Sequence, residues 1–82
     1  MSSRAEKRAQ RGQTSPEEDR LLEPCENALL MGYLFHHAPK IRTSAAKVLG
    51  QRRFEPSVPT LCSALKSERK LYPRLAICDA LA

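Results

Sequence analysis

The sequence predicts an all-α protein, an α-solenoid of about two helical hairpins preceded by a short N-terminal helix. Two observations support this fold class. Leu and Ala dominate the apolar residues, whereas strand-favouring Val and Ile are scarce. A five-residue phrase also occurs twice, as RLLEP at 20–24 and RRFEP at 52–56, and repetition at such a period is typical of stacked helical units.

The repeat extends beyond this phrase. A shift of 32 positions aligns six identical residues in order along the chain: Arg20 with Arg52, Glu23 with Glu55, Pro24 with Pro56, Leu29 with Leu61, Arg42 with Arg74, and Leu49 with Leu81. We interpret the phrase as the corner between hairpins, where Leu22 or Phe54 fills the gap and the Pro starts the next helix. The two units then cover about 22–50 and 54–82.

The first segment of the chain differs from the rest. Residues 1–14 contain no large apolar side chain after Met1 and are rich in Lys and Arg. Such a segment cannot contribute to a core, so we expect a disordered basic arm followed by a single repeat domain over 15–82. A basic arm can bind nucleic acid or an anionic surface, although charge runs more often serve as solubilising tails.

The helices follow in order. The capping-box pattern of Ser15, Pro16 and Glu18 predicts a helix over 16–22. Pro24 is expected to open the next helix and Pro39 or Lys40 the one after it, with Gly50 as its stop. Pro56 opens the second unit, 66–70 is a polar turn, and the last helix begins at 72–73. The expected apolar faces comprise Ala28, Leu29, Gly32, and Leu34 or Phe35; Ile41, Ala45, Val48 and Leu49; Val58, Leu61, Cys62 and Leu65; and Leu75, Ile77, Cys78 and Leu81.

Residues 41–65, IRTSAAKVLGQRRFEPSVPTLCSAL, resemble the HEAT repeat, and more closely the HEAT-like subclass shared with phycobilin lyases. The resemblance covers about 22–82 and implies an α-solenoid. It also implies that Arg42 and Arg74 each pair with a neighbouring acidic side chain or free carbonyl. The family includes scaffolds, chaperone-like factors, lyases and nucleic-acid enzymes, so it implies no single activity. The matching residues are Ile41-Arg42, Ala45-Ala46, Leu49-Gly50, Val58-Pro59, Leu61 and Ala64-Leu65.

Reactive side chains are few. The odd number of cysteines and the lack of a CxxC spacing argue against a disulfide framework and a zinc site, and fit a reducing compartment. Cys62 and Cys78 are expected to be buried, and the pair His36-His37 has no third metal ligand nearby. We therefore expect no catalytic residues, no cofactor and no metal. The longest apolar run, ALLMGYLF, is too short to span a membrane, so we expect a cytoplasmic protein without a membrane partner.

The polar sides of the second helices form the candidate binding surface. In a HEAT stack these helices line the concave face, where this chain would present a mildly basic strip. The strip could receive an acidic peptide, a tetrapyrrole carboxylate or phosphates, or be an ordinary solvated face. Its candidate partner-binding residues are Lys40, Thr43, Lys47, Lys70 and Arg74, with Ser44 beside them. Structural roles are expected for Arg42, Leu49, Phe54, Pro56 and Leu61.

The function expected from these features is protein binding, as an interaction scaffold or assembly subunit for an acidic partner. One alternative is a bilin-lyase-like chaperone or enzyme subunit. Another is nucleic-acid binding through the arm and the basic strip. The last hairpin also lacks a neighbour for its apolar surface. It is therefore expected either to continue into a longer solenoid or to associate with another subunit.

Overall fold

The computed structural model describes residues 3–82, and its regular structure within that range is entirely helical, which confirms the predicted all-α class. Residues 1–2, the start of the expected arm, lie outside the described residues. A short 3₁₀ turn, Glu55–Ser57, precedes the fifth helix. The helices are α1 Arg4–Gln10, α2 Pro16–Arg20, α3 Asn27–Tyr33, α4 Pro39–Arg52, α5 Val58–Ser67 and α6 Leu71–Leu81.

Helix α4 lies at the centre of the molecule. It pairs with α3, packs most extensively against α6, and is also contacted by α1 and α2, whereas α5 pairs with α6. Two helical pairs, α3/α4 and α5/α6, thus lie side by side; a HEAT-type solenoid stays a prediction. The buried apolar core consists of Leu30, Leu34, Ala45, Ala46, Val48, Leu49, Leu61, Ala64, Ala76 and Ile77.

Local capping signals placed the start of α2 correctly. The Ser15 side chain accepts a hydrogen bond from the Glu18 amide, and the Glu18 carboxylate accepts one from the Ser15 amide. Pro24, in contrast, does not open a helix, because residues 21–25 form successive turns and α3 begins at Asn27. These turns leave Leu22 packed against the core.

The expected apolar face of α3 is wrong by one position. Leu29 is 47% exposed, whereas Leu30 is fully buried. The cause is the register of the repeat. Helix α5 begins 31 positions after α3, although α6 begins 32 positions after α4. One residue on a helix corresponds to a rotation of about 100°. Aligning Leu29 with Leu61 by the shift of 32 therefore predicts an α3 face that lies one residue away from the buried one.

Gly50 is not the stop expected for α4. The helix continues to Arg52, and Arg53 ends it in the left-handed conformation with φ 51°. A Cβ added at Gly50 would lie 3.0 Å from the Cβ of Ala80 on α6. Gly50 therefore permits the close approach of the two helices rather than ending the first of them.

The N-terminal segment is more structured than the expected arm. Ser3 caps α1, which contains no buried residue. Residues 11–14 pack onto the helical body, and Gly12 is buried there with φ +93°. The expectation of an unstructured segment rested on its lack of apolar side chains. A glycine, a backbone carbonyl and a hydroxyl group make the contacts instead, and none of them needs an apolar side chain.

Candidate interaction surfaces

Arg42 ties two interhelical turns together. Its guanidinium makes a bidentate pair with Glu68, with Nε–Oε1 at 2.7 Å and Nη2–Oε2 at 3.0 Å. Its Nη1 donates to the carbonyls of His36 and His37 at the end of the α3–α4 turn. Arg74 donates from Nη1 to the Glu68 carbonyl at 2.9 Å. Both arginines thus make contacts of the kind that the HEAT resemblance implies.

The two histidines lie together, and the cysteines of α5 and α6 lie at the surface. The rings of His36 and His37 stack at 4.4 Å beyond the end of α3, and His36 Nδ1 accepts a hydrogen bond from the Ala38 amide. Within residues 3–82, no group of three or more His, Cys, Asp or Glu side chains is placed to hold a metal ion. The expected burial of Cys62 and Cys78 is wrong, because the adjacent Leu61 and Ile77 occupy the buried face and leave both thiols exposed.

The N-terminal segment covers the predicted basic strip of α4. Thr43 is only 1% exposed, so a partner cannot reach it while the segment is in place, and its predicted contact with a partner stays a prediction. Lys40 forms an ion pair with Glu18 at 2.8 Å. Lys47 donates to Thr14 Oγ1 at 2.9 Å and to Asp19 Oδ2 at 3.2 Å. The strip therefore does hold acidic side chains, and they belong to the same chain.

Asp19 is the centre of these contacts. Its Oδ1 accepts hydrogen bonds from Ser44 and Thr14, each at 2.7 Å, while Oδ2 accepts the one from Lys47. Three donors thus satisfy a carboxylate that is 8% exposed. The acidic cluster Glu17–Asp19 and the basic strip are both visible in the sequence. Their opposite charge is the signal by which the pairing could have been found.

Residues 11 and 12 close the segment over the α4–α6 junction. The Tyr72 amide, in the first turn of α6, donates to the Arg11 carbonyl at 3.2 Å. A Cβ added at Gly12 would lie 2.8 Å from Pro73 Cδ on α6 and 2.9 Å from Thr43 Oγ1 on α4. Gly12 therefore fits between the two helices because it has no side chain.

A second surface lies on the outer side of α6, away from α4. Leu71, Leu75 and Cys78 follow one another at helical spacing, and Leu71 and Leu75 are 45% and 50% exposed. Val58 and Cys62, four residues apart on α5, are also exposed. Near the end of this stripe is an open groove of about 850 Å³, whose apolar lining includes Leu49, Phe54, Leu61 and Leu81.

The repeat explains the position of the α6 stripe. Moving back 32 positions places Leu75 on Thr43 and Cys78 on Ala46, and both α4 residues are buried. Gly50 and Gly12 show that this side of α4 meets α6, because added Cβ atoms there would touch Ala80, Pro73 and Thr43. On α6, Leu75 and Cys78 of the stripe therefore occupy the same repeat positions as the α4 residues that are buried where α6 packs.

Comparisons with protein-family models, curated proteins and solved structures found no match. The HEAT resemblance therefore remains a prediction from the residues. Among residues 3–82, no helix combines the length and apolar character needed to cross a bilayer.

Proposed function

We propose that this chain is a protein-interaction subunit that associates with a second copy of itself through the outer face of α5 and α6. The observation that carries the proposal is the exposed stripe of Leu71, Leu75 and Cys78, because the α4 equivalents of Leu75 and Cys78, which are Thr43 and Ala46, are buried. A helical unit that repeats in this way buries its apolar face only against another unit.

Each exposed apolar side chain that an interface covers adds a modest amount of binding free energy, and these amounts add up. Completing the burial of a half-exposed Leu contributes on the order of 1 kcal/mol, half of what full burial of that side chain supplies. Leu71 and Leu75 each offer this gain, and Val58 and Cys62 on α5 are exposed as well. The face is therefore suited to bind another helical pair rather than a small molecule.

The charges along α6 favour a second copy as the occupant. Lys70 and Arg74 lie at the N-terminal end of the stripe and Asp79 at the other end, all three exposed. In a two-fold pair with antiparallel α6 helices, each basic end lies beside the acidic end of the other copy. Lys66 and Arg69 increase the positive charge near the first end, so an acidic partner of another sequence is the rival outcome.

Sedimentation analysis of full-length protein over a wide concentration range tests this proposal. Leu75→Glu places a charge in the stripe and should weaken self-association at least tenfold. Leu29→Glu is the matched control, because Leu29 is similarly exposed but lies on α3. We expect the control to associate like the wild-type chain. A monomeric wild-type chain at all concentrations, or equal effects of the two substitutions, would contradict the proposed function.

A further inference from the structure

Residues 11–19 lie in the groove between α4 and α6 and contact it through polar groups, as a bound peptide would. The segment contains no large apolar side chain, and its contacts are a glycine, a backbone carbonyl, a hydroxyl group and carboxylates. Both of its ion pairs to α4 are partly exposed, and such pairs stabilise weakly. Segments with few apolar contacts belong to the least stable parts of a fold, so this one can open while the core stays intact.

The groove recognises three features of its occupant. Ser44 and Lys47 bind a carboxylate, that of Asp19. The Tyr72 amide has no acceptor within its own helix, as is general in a first turn, and takes the Arg11 carbonyl instead. The contact of Gly12 with Thr43 and Pro73 admits only a residue without a side chain.

We infer that the α4–α6 groove is a recognition site for an acidic peptide segment of a protein partner, and that residues 11–19 occupy it in the free chain. The partner segment carries a glycine, a hydroxyl residue two positions later, and a carboxylate in the first turn of a following helix. It replaces residues 11–19 by making the same contacts. This inference is independent of self-association through the outer face of α6.

A fluorescent peptide with the sequence of residues 10–20, QRGQTSPEEDR, is the probe, and binding to full-length protein is measured by anisotropy. Gly12→Ala should expel the resident segment, because the added Cβ cannot fit. The control is Gly32→Ala, since a Cβ at Gly32 meets nothing within 4 Å. We expect the Gly12→Ala chain to bind the peptide at least tenfold more tightly than the wild-type and Gly32→Ala chains.

A second variant tests the same site without the steric change. Asp19→Asn weakens the resident segment but leaves Ser44 and Lys47 in place, so this chain should also bind the peptide more tightly than the wild type. A peptide carrying Asn in place of its Asp should bind both opened chains at least tenfold more weakly. Circular dichroism checks that each variant keeps its helices. Equal peptide affinity of the opened and control chains, or indifference to the Asp-to-Asn change in the peptide, would overturn the inference.

Discussion

At the scale of single residues, one carboxylate organises the join between the two helical pairs. Glu68 is 6% exposed, and its oxygens accept from the Arg42 guanidinium and from the amides of Arg69 and Lys70. A buried carboxylate of this kind is tolerated only while its partners are present. The arginine in the repeat thus fixes the turn before α6, which in turn sets the position of the outer face.

Removal of the Arg42 guanidinium should therefore be costly. Arg42→Ala leaves Glu68 buried without its cation and should lower the free energy of unfolding by about 3–5 kcal/mol, the range for breaking one side of a buried pair. Urea denaturation measures the change. Arg69→Ala removes an exposed neighbouring charge and should have little effect. Similar midpoints for the two variants would show that the pair does not hold the turn.

Glu18 gives the N-terminal segment a dependence on pH. The hydrogen bond from Lys40, followed by that from the Ser15 amide, lowers the pKa of Glu18 below its ordinary value of 4.5. Because the pKa is lower in the folded state, ionised Glu18 stabilises the fold. This stabilisation is present above pH 4.5 and is lost as the pH falls through the folded-state pKa. Glu18→Gln should reduce this acid-dependent loss of stability, as thermal melts between pH 3 and 7 would show, with exposed Glu17→Gln as control.

At the scale of helices, the packing of α4 on α6 depends on residues without bulk. Gly50 approaches Ala80 so closely that an added methyl group would lie 3.1 Å from its Cα, a backbone atom that cannot move freely. Alanine is favoured over glycine inside a helix by about 1 kcal/mol, but overpacking costs about 1–3 kcal/mol. At Gly50 we expect the steric cost to exceed the gain.

Gly50→Ala should accordingly lower the free energy of unfolding by about 1 kcal/mol, measured by chemical denaturation. Gly32→Ala on α3 should be neutral or raise it by up to about 1 kcal/mol, because there only the helix propensity changes. Stabilisation by both substitutions would mean that α4 and α6 are not in the close contact described.

The same helices show what sequence reasoning could predict. The start of α2 was predictable because a capping box depends on residues three positions apart. The face of α3 was not, because α3 and α5 begin 31 positions apart, one fewer than the shift of 32 that relates α4 to α6. The polar residues of α4 could be identified from the sequence, but the contacts that Asp19 makes with Ser44 and Lys47 could not. The hydrogen bond between Asp19 and Ser44 joins segments that are far apart in the sequence and share no periodic pattern, so no local signal predicts it.

At the scale of the whole molecule, the two surfaces of the paired second helices differ in how they are covered. The groove between α4 and α6 is filled by residues 11–19, whereas the outer stripe of α6 remains exposed. The groove is polar and selects by hydrogen bonds and charge. The stripe is apolar and is suited to burial against another apolar surface. The central claim is that a second copy of the chain supplies that surface.

A charge exchange on α6, followed by sedimentation equilibrium, tests this claim most directly. Lys70→Glu and Asp79→Lys each place like charges at the ends of the antiparallel pair and should weaken association several-fold. Neither should destabilise α6, since each puts the favoured sign of charge at its helix terminus. The double variant restores opposite charges and should associate like the wild-type chain. Association that stays weak in the double variant, or is unchanged in both single variants, would contradict the proposed arrangement.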